Sequence, residues 1–476
     1  MTGEMIVGRK RAARNLGDVL ILGLGKSGRA AARYCLEARH LGEDVASLTI
    51  AAGEQNDGAL EFAQYCESRG AKVYFDLYTF EGHYDLCIAS PGISQFSRFY
   101  ENASHVSEEI ISEVEFAWRE SAQDSRWVAV TGTNGKTTTT TLTTHILKAA
   151  HERVEAVGNI GNTCIEAVAQ GESDVYVAET SSFQLASMKY FAPQAAILLN
   201  ITPDHLYWHM TYENYAEAKA RVFANMNEGN LAVVNVDDEG VQEVLPQIRQ
   251  TGARVCEVSL EDSGASWAAF CANGILTLRR GGEEFSLVHR DGLAIKGDHN
   301  VINALCAAAA AMEAGASADA VREGLRSFRP LEHRLEPCGQ IDGVNFVNDS
   351  KATNVDATLK ALSAYPKGRA VFLLGGHDKG TELDDLVKAA EETCRAVVCF
   401  GAAGERFMKA FEGSSLTHVQ TAHMEDALDE AISIAQPGDS VVLSPACASF
   451  DEFDSFEHRG RVFKHLVAFR AQRAER

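Results

Sequence analysis

A chain of 476 residues, 46% hydrophobic and 23% charged, has the make-up of a folded enzyme of about three domains, not of a disordered or membrane protein. A formal charge of −22 excludes general affinity for nucleic acid, since neutralising phosphates needs a basic face, so anionic ligands must meet local positive groups. Eleven cysteines with no C-x-x-C pair and no metal-like spacing to histidine are expected as buried reduced thiols in the cytoplasm, and no apolar run reaches the roughly 20 residues that cross a bilayer.

The basic opening, Gly8 to Asn15, has no apolar segment behind it and is expected to be a frayed tail. Strands follow at Asp18–Leu22, Val45–Ile50 and Asp85–Ala89, with a helix from about Ser27, a βαβ pattern that requires a parallel sheet. Between the first strand and its helix lies Gly23-Leu24-Gly25-Lys26-Ser27-Gly28, a G-x-G-x-x-G placed to hold a diphosphate at a helix N-terminus. The motif alone also fits a dinucleotide-dependent oxidoreductase. The second strand, however, runs out as Ala51-Ala52-Gly53 without the acid that reads a ribose 2′-hydroxyl, and Glu54 is a displaced substitute. Ser90-Pro91-Gly92-Ile93 makes a tight loop at the same sheet edge. The polar stretch Glu120 to Ser125 ends a first domain at 124.

Val128 to Thr140, VAVTGTNGKTTTT, reads as a short strand running into a phosphate cradle. Gly132 and Gly135 let backbone N–H groups approach phosphates, Lys136 offers a point charge and Thr137 a hydroxyl for Mg²⁺. The first glycine sits two positions later than usual, and a plain strand-to-helix turn is the alternative. Thr137 to Thr141, Thr143 and Thr144 are poor helix formers, although Leu142, Ile146 and Leu147 supply an apolar face. Two more strands end in chemistry: Val175–Ala178 runs into Glu179, and Ala196–Leu199 into Asn200-Ile201-Thr202-Pro203-Asp204-His205. If both lie parallel to the first, Lys136, Glu179 and His205 meet at one carboxyl edge. A helix cap for Glu179 and an ordinary surface position for His205 are the bland alternatives.

Asn300 and Asn303, one turn apart at the start of an alanine-rich helix running to about Ala314, either cap that helix or face a ligand together. After Phe328-Arg329-Pro330 the chain alternates again, with strands at Val344–Val347, Ala370–Leu374, Ala396–Phe400 and Ser440–Leu443. Their loops carry Lys351 and Lys379, positive groups where an acidic ligand would bind. The expected fold is therefore α/β in three domains: an N-terminal Rossmann-like parallel sheet (1–124), a central P-loop ATPase-like domain (125–329) and a C-terminal Rossmann-like domain of the dinucleotide-binding type (330–476).

The stretches TGTNGKTTTT (131–140), GNIG (158–161), AETSSFQL (178–185), NITPDHL (200–206), GDHNVINA (297–304), EHRLE (332–336), NDSKATN (348–354) and LSPACASFDEF (443–453) resemble the Mur ligases along nearly the whole chain, in the D-glutamate-adding branch. The resemblance implies an ATP-dependent amide ligase of peptidoglycan synthesis, acting on UDP-N-acetylmuramoyl-L-alanine and D-glutamate through an acyl phosphate, with two Mg²⁺ ions. It places ATP against Gly132, Thr133, Asn134, Gly135, Lys136, Thr137 and Thr138, with Asn300, Asn303, Arg334, Asp349 and Lys351 also on the nucleotide. Metal would fall to Thr137, Glu179, His205 and a carbamylated Lys219, which from the residues alone would be a helix-surface lysine. The nucleotide-sugar substrate would meet Gly23, Gly25, Lys26, Ser27, Gly28, Gly92, Asn159 and His205, and D-glutamate Thr353, Lys379, Ser449, Phe450 and Phe456. His205 is also a candidate base for the attacking amine. The family's uracil contacts find no counterpart after the second strand. A monomer closing about linkers near Asp124 and Pro330 is expected, and a sister ligase or a folylpolyglutamate-type enzyme is the nearest alternative.

Overall fold

The computed structural model describes residues 4–474 apart from His40, Glu54, Asn56, Tyr78, Pro330, Leu331 and Lys379; the side chains of Asp57 and Ala474 are not described. Glu54, Pro330 and Lys379, singled out above, thus lie outside the described residues. Three sheets account for the expected α/β fold. The first is all parallel, in the order β3-β2-β1-β4-β5, from β1 (Asp18–Leu22), β2 (Ser47–Ala51), β3 (Lys72–Tyr74), β4 (Leu86–Ala89) and β5 (Ile110–Ser112). Helix Lys26–Glu37 follows β1, so the G-x-G-x-x-G loop sits beside the loop after β4, where the strand order reverses and α/β sheets take ligands.

The central sheet comprises β6 (Arg126–Thr131), β7 (Val154–Gly158), β8 (Val175–Glu179), β9 (Ala195–Leu198), β10 (Leu231–Asn235), β11 (Arg254–Val258), β12 (Trp267–Ala272), β13 (Ile275–Arg280) and β14 (Glu283–His289). Its order is β14-β13-β12-β11-β10-β9-β6-β8-β7, parallel from β7 to β12. The P-loop strand β6 is flanked by β8 and β9, both parallel to it, so the condition for Lys136, Glu179 and His205 to share an edge is met. The antiparallel β12–β14 meander extending this sheet was not anticipated from the sequence. β6, β8 and β9 are buried along nearly their whole length, as strands covered on both faces must be, while the edge strand β7 is only partly buried.

The third sheet runs β15-β16-β20-β17-β18-β19, from β15 (Glu336–Ile341), β16 (Val344–Asn348), β17 (Ala370–Gly375), β18 (Cys394–Phe400), β19 (Thr417–Gln420) and β20 (Ser440–Ala446). It is parallel except for the edge strand β15. By compactness the chain forms two units: Met1–Gly292 with Ile302–Ser327, holding the first two sheets, and Leu293–Val301 with Phe328–Arg476, holding the third.

Two expectations are corrected. The basic opening is not frayed: Lys10 N donates to Ser121 O, Arg11 N to Arg119 O and Gln123 N to Gly8 O, while Ala12 and Ala13 are buried. Backbone pairing with the 119–123 segment, rather than apolar content, orders it. Lys219 is not a surface lysine; it is 1% exposed. The cysteines are all free, and nine of the eleven are buried. Among the described residues no helix is long and apolar enough to cross a membrane.

Candidate active site

β6 ends at Thr131, and the next residue explains the late glycine. Gly132 has φ +152°, and a Cβ there would lie 2.9 Å from Leu199 Cβ on the neighbouring strand end, so only glycine fits the turn. Asn200, at the end of β9, then shapes the loop from the side: its carbonyl accepts from Thr133 N (3.0 Å), its Oδ1 from Asn134 N (2.8 Å), and its Nδ2 donates to Asn134 O (3.2 Å). The Thr133 hydroxyl is fixed between Thr202 and the Tyr215 hydroxyl (2.8 Å). Gly135, φ +82°, opens helix Lys136–Ala149, and a Cβ there would sit 2.7 Å from Asn303 Oδ1. Asn303 therefore lies against the cradle. Asn300 belongs to the other compact unit, where its Nδ2 donates to Lys296 O.

Lysines converge on one carbonyl of the loop. Lys136 Nζ donates to Gly132 O and Thr133 O (both 2.9 Å), and Lys219 Nζ to the same Gly132 O (2.8 Å) while lying 4.6 Å over the Tyr215 ring. Burial first, and Lys136 second, hold the Lys219 ammonium well below the usual lysine range, against the pull of Asp204. The shift eases loss of the Lys219 proton. Thr137 and Thr138 follow in the first turn, Thr137 half-buried and Thr138 buried.

Glu179 closes β8 beside the loop, paired in register with Val130 and with Gly158. It is 2% exposed; Oε1 accepts from Asn159 Nδ2 (2.9 Å), and Oε2 is buried with no hydrogen-bond partner among the described residues. An acid cap of the next helix is excluded, because Ser181 performs that task with Gln184. His205, φ +53°, is held by its own N–H on Asp204 Oδ1 (2.8 Å), with Nε2 3.6 Å from Asp204 Oδ2 and its ring against Phe183. His209, one turn on, is fully buried; burial, then Lys219 and His205, lower its pKa to about 4, and Nε2 meets Ser182 Oγ at 2.9 Å.

A cleft of about 460 Å³ joins the first two sheets' carboxyl edges. It is lined by Gly23, Gly25, Lys26 and Ser27 from the first loop, Gly92 from the second, and Asn159, Thr163 and Gln184 from the central domain. Lys26 Nζ reaches across it to Gly161 O. Gly28 is buried in the helix behind.

In the other unit the loops after β16 and β20 carry the remaining predicted residues. Asp349 is buried: Oδ2 accepts from Ser444 Oγ (2.7 Å) and Oδ1 from Leu335 N (3.2 Å), and burial outweighs both bonds and pushes its carboxyl up to about 7. Lys351 Nζ stands 3.8 Å over the Phe456 ring, Thr353 N donates to Lys351 O, and Ser449 is buried with its carbonyl accepting from Phe453 N (2.9 Å). Phe450 is 72% exposed. Arg334 is half-buried and near enough to Asp349 to lower its pKa somewhat. The sequence reading missed Asn200, Tyr215, His209 and Arg459. Tyr215 could have been found, since it lies four residues before Lys219 on the same helix face; Arg459 gave no signal.

The Mur ligase middle domain model matches residues 130–311 and the Mur ligase, glutamate ligase domain model residues 333–447. The chain is 40% identical over 458 residues to the UDP-N-acetylmuramoylalanine--D-glutamate ligase of Salinibacter ruber, covering 94% of this chain and 96% of that one. It is 38% identical to the enzyme of the same name from Acidobacterium capsulatum, covering 94% and 95%. Among solved structures, MurF from Acinetobacter baumannii matches with a TM-score of 0.60 over 94% of this chain and 93% of that one at 18% identity. The pseudomurein peptide ligase type C of Methanothermus fervidus matches with 0.58 over 96% and 100%, also at 18%. The two family models and the relatives of nearly full length agree, and the chain belongs to the Mur ligase family.

Proposed function

We infer that the chain is an ATP-dependent ligase joining D-glutamate to the alanyl carboxylate of UDP-N-acetylmuramoyl-L-alanine in peptidoglycan synthesis. What carries the reading is that relatives named for this reaction match at 35–40% identity over about 94% of the chain. The convergence of Lys136, Lys219 and Glu179 on one strand edge supports it chemically.

A carboxylate is a poor acyl electrophile. One of its oxygens attacks the γ-phosphorus of ATP, ADP leaves, and an acyl phosphate forms; the amine of D-glutamate then attacks the carbonyl carbon, and the tetrahedral adduct expels phosphate. Two anions must approach each other in the first step. Lys136 in the cradle offsets that repulsion, and loop N–H groups at the start of helix Lys136–Ala149 orient the phosphates. The amine must lose a proton, and His205, beside Asp204, is proposed either as its acceptor or as a metal ligand, one role in place of the other.

Glu179 Oε2, buried and unpartnered among the described residues, fits a cation. Lys219 as an ammonium does not, but its lowered pKa eases loss of the proton, and carbamylation of the amine would turn it into an oxygen donor. Thr137, Glu179, His205 and carbamylated Lys219 are the proposed holders of two Mg²⁺, which when bound neutralise charge between the reacting anions. Asn300, Arg334, Asp349 and Lys351 are proposed on the nucleotide, the 460 Å³ cleft for the nucleotide-sugar, and Thr353, Ser449, Phe450 and Phe456, with Lys379, around D-glutamate. A cytoplasmic monomer, with domain edges at 124 and 329, completes the proposal. Substrate labelled with ¹⁸O in both alanyl carboxylate oxygens tests the route: one label should leave in inorganic phosphate and one stay in the amide, whereas unlabelled phosphate contradicts an acyl phosphate.

A further inference from the structure

Arg459, in helix Phe456–Ala474, is fully buried, yet every group it bonds is neutral. Its Nε donates to Ser350 Oγ (2.9 Å), Nη2 to Ser350 O (2.9 Å) and to Cys447 O (3.0 Å), and Nη1 to Ala448 O (3.1 Å). Among the described residues it forms no ion pair. One planar guanidinium therefore ties the loop after β16 to the loop after β20. The tie extends further: Ser350 Oγ donates to Phe456 O (2.8 Å), and the Phe456 ring carries Lys351 Nζ. Ala448 also exchanges two backbone bonds with His377 in the loop after β17.

A lysine could not span these acceptors, because its three donors radiate from one point, whereas arginine holds five in a fixed fork. The carboxyl groups of Asp451, Glu452 and Asp349 lie near enough to favour the Arg459 charge and offset part of the cost of burying it. Burial lowers the Arg459 pKa to about 10, which leaves it charged at neutral pH.

We propose that Arg459 is a positioning residue for the amino-acid substrate: by tying Ser350 to Cys447 and Ala448 it fixes the loop that carries Ser449 relative to the one that carries Lys351 and Thr353. The inference rests on D-glutamate being the acceptor substrate. Steady-state kinetics, varying D-glutamate, ATP and the nucleotide-sugar in turn, test it. Arg459→Lys should raise KM for D-glutamate about tenfold or more while the other two KM values stay within about twofold. Arg459→Ala should behave alike and recover D-glutamate affinity in part with added guanidinium at low concentration. Ser350→Ala, which keeps the arginine and removes one acceptor, should raise the same KM by about threefold, and decides the matter if the Arg459 variants do not fold. Unchanged KM for D-glutamate in a folded variant, or equal rises for all three substrates, overturns the proposal. A wild-type protein that releases no phosphate with D-glutamate refutes the functional reading itself, a result distinct from either.

Discussion

At the scale of single residues, chemistry here depends on charges placed where burial works against them. Lys219 is the sharpest case. Replacing it by alanine should abolish turnover, and short carboxylic acids should restore part of it by supplying the oxygen donor that a carbamate would; Lys219→Ala activity near the wild-type rate contradicts the assigned role. Asp349 offers a second test. Its folded pKa of about 7 lies above the carboxylate reference value, so the folded form holds a proton that the unfolded chain releases between roughly pH 4 and 7. Stability tied to this group is present below that window and lost as pH rises through it. Asp349→Asn should therefore gain thermal stability relative to wild type on going from pH 5 to pH 8, by at most about 3 kcal/mol, and a constant difference across that range would contradict the assignment. Legibility in the sequence divides along the same line. Lys136, Glu179 and His205 were readable because they sit at strand ends. The burial of Lys219 was not, because a helix of low amphipathicity leaves no mark of which face points inward; nor was Arg459, whose main-chain partners come from two separate stretches, Ser350 and Cys447 with Ala448.

At the scale of elements, the threonine-rich helix Lys136–Ala149 runs against propensity. Part of the answer is local: Thr141, Thr143 and Thr144 each donate to the carbonyl four residues back (2.7, 2.7 and 2.8 Å). The rest is tertiary, since Gly324 of helix Ala318–Ser327 packs so close to Ile146 that a Cβ would lie 2.7 Å from Ile146 Cγ1. Thr139 and Thr140 differ from their neighbours, for their buried hydroxyls have no hydrogen-bond partner among the described residues. Thr140→Val, of the same shape without the hydroxyl, should therefore stabilise the protein by about 1 kcal/mol in a denaturant titration; a loss of similar size would show that the hydroxyl is satisfied. The strands named from the sequence, among them β1, β8, β16 and β17, were placed to within two or three residues at most ends, because buried parallel strands are continuous apolar runs, whereas β3, β5, β7, β10, β11, β15 and β19 were not read. Nor was the β12–β14 meander, whose strands follow one another through short turns with no intervening helix.

At the scale of the whole molecule, the 119–125 linker is no free hinge. Arg119 is bonded to Glu109 (2.7 Å) and Glu115 (2.9 Å), all buried, Glu115 accepts from Tyr190 N (3.0 Å) of the central domain, and residues 8–11 pair along its other side. The first two domains accordingly form one compact unit, and the expected closure point near Asp124 lies within it. The net charge of −22 sets the other whole-molecule demand, that three anionic substrates be captured by a few lysines and arginines at strand ends. The family follows from the length of the match, and the acceptor amino acid is the claim on which the rest stands. Phosphate release in the presence of ATP, Mg²⁺ and UDP-N-acetylmuramoyl-L-alanine, with D-glutamate, L-alanine, L-glutamate and a diamino acid offered separately, tests it most directly. Turnover with D-glutamate alone, abolished by Lys136→Ala in a folded protein, is the predicted result; turnover driven by another amino acid but not by D-glutamate would contradict the account.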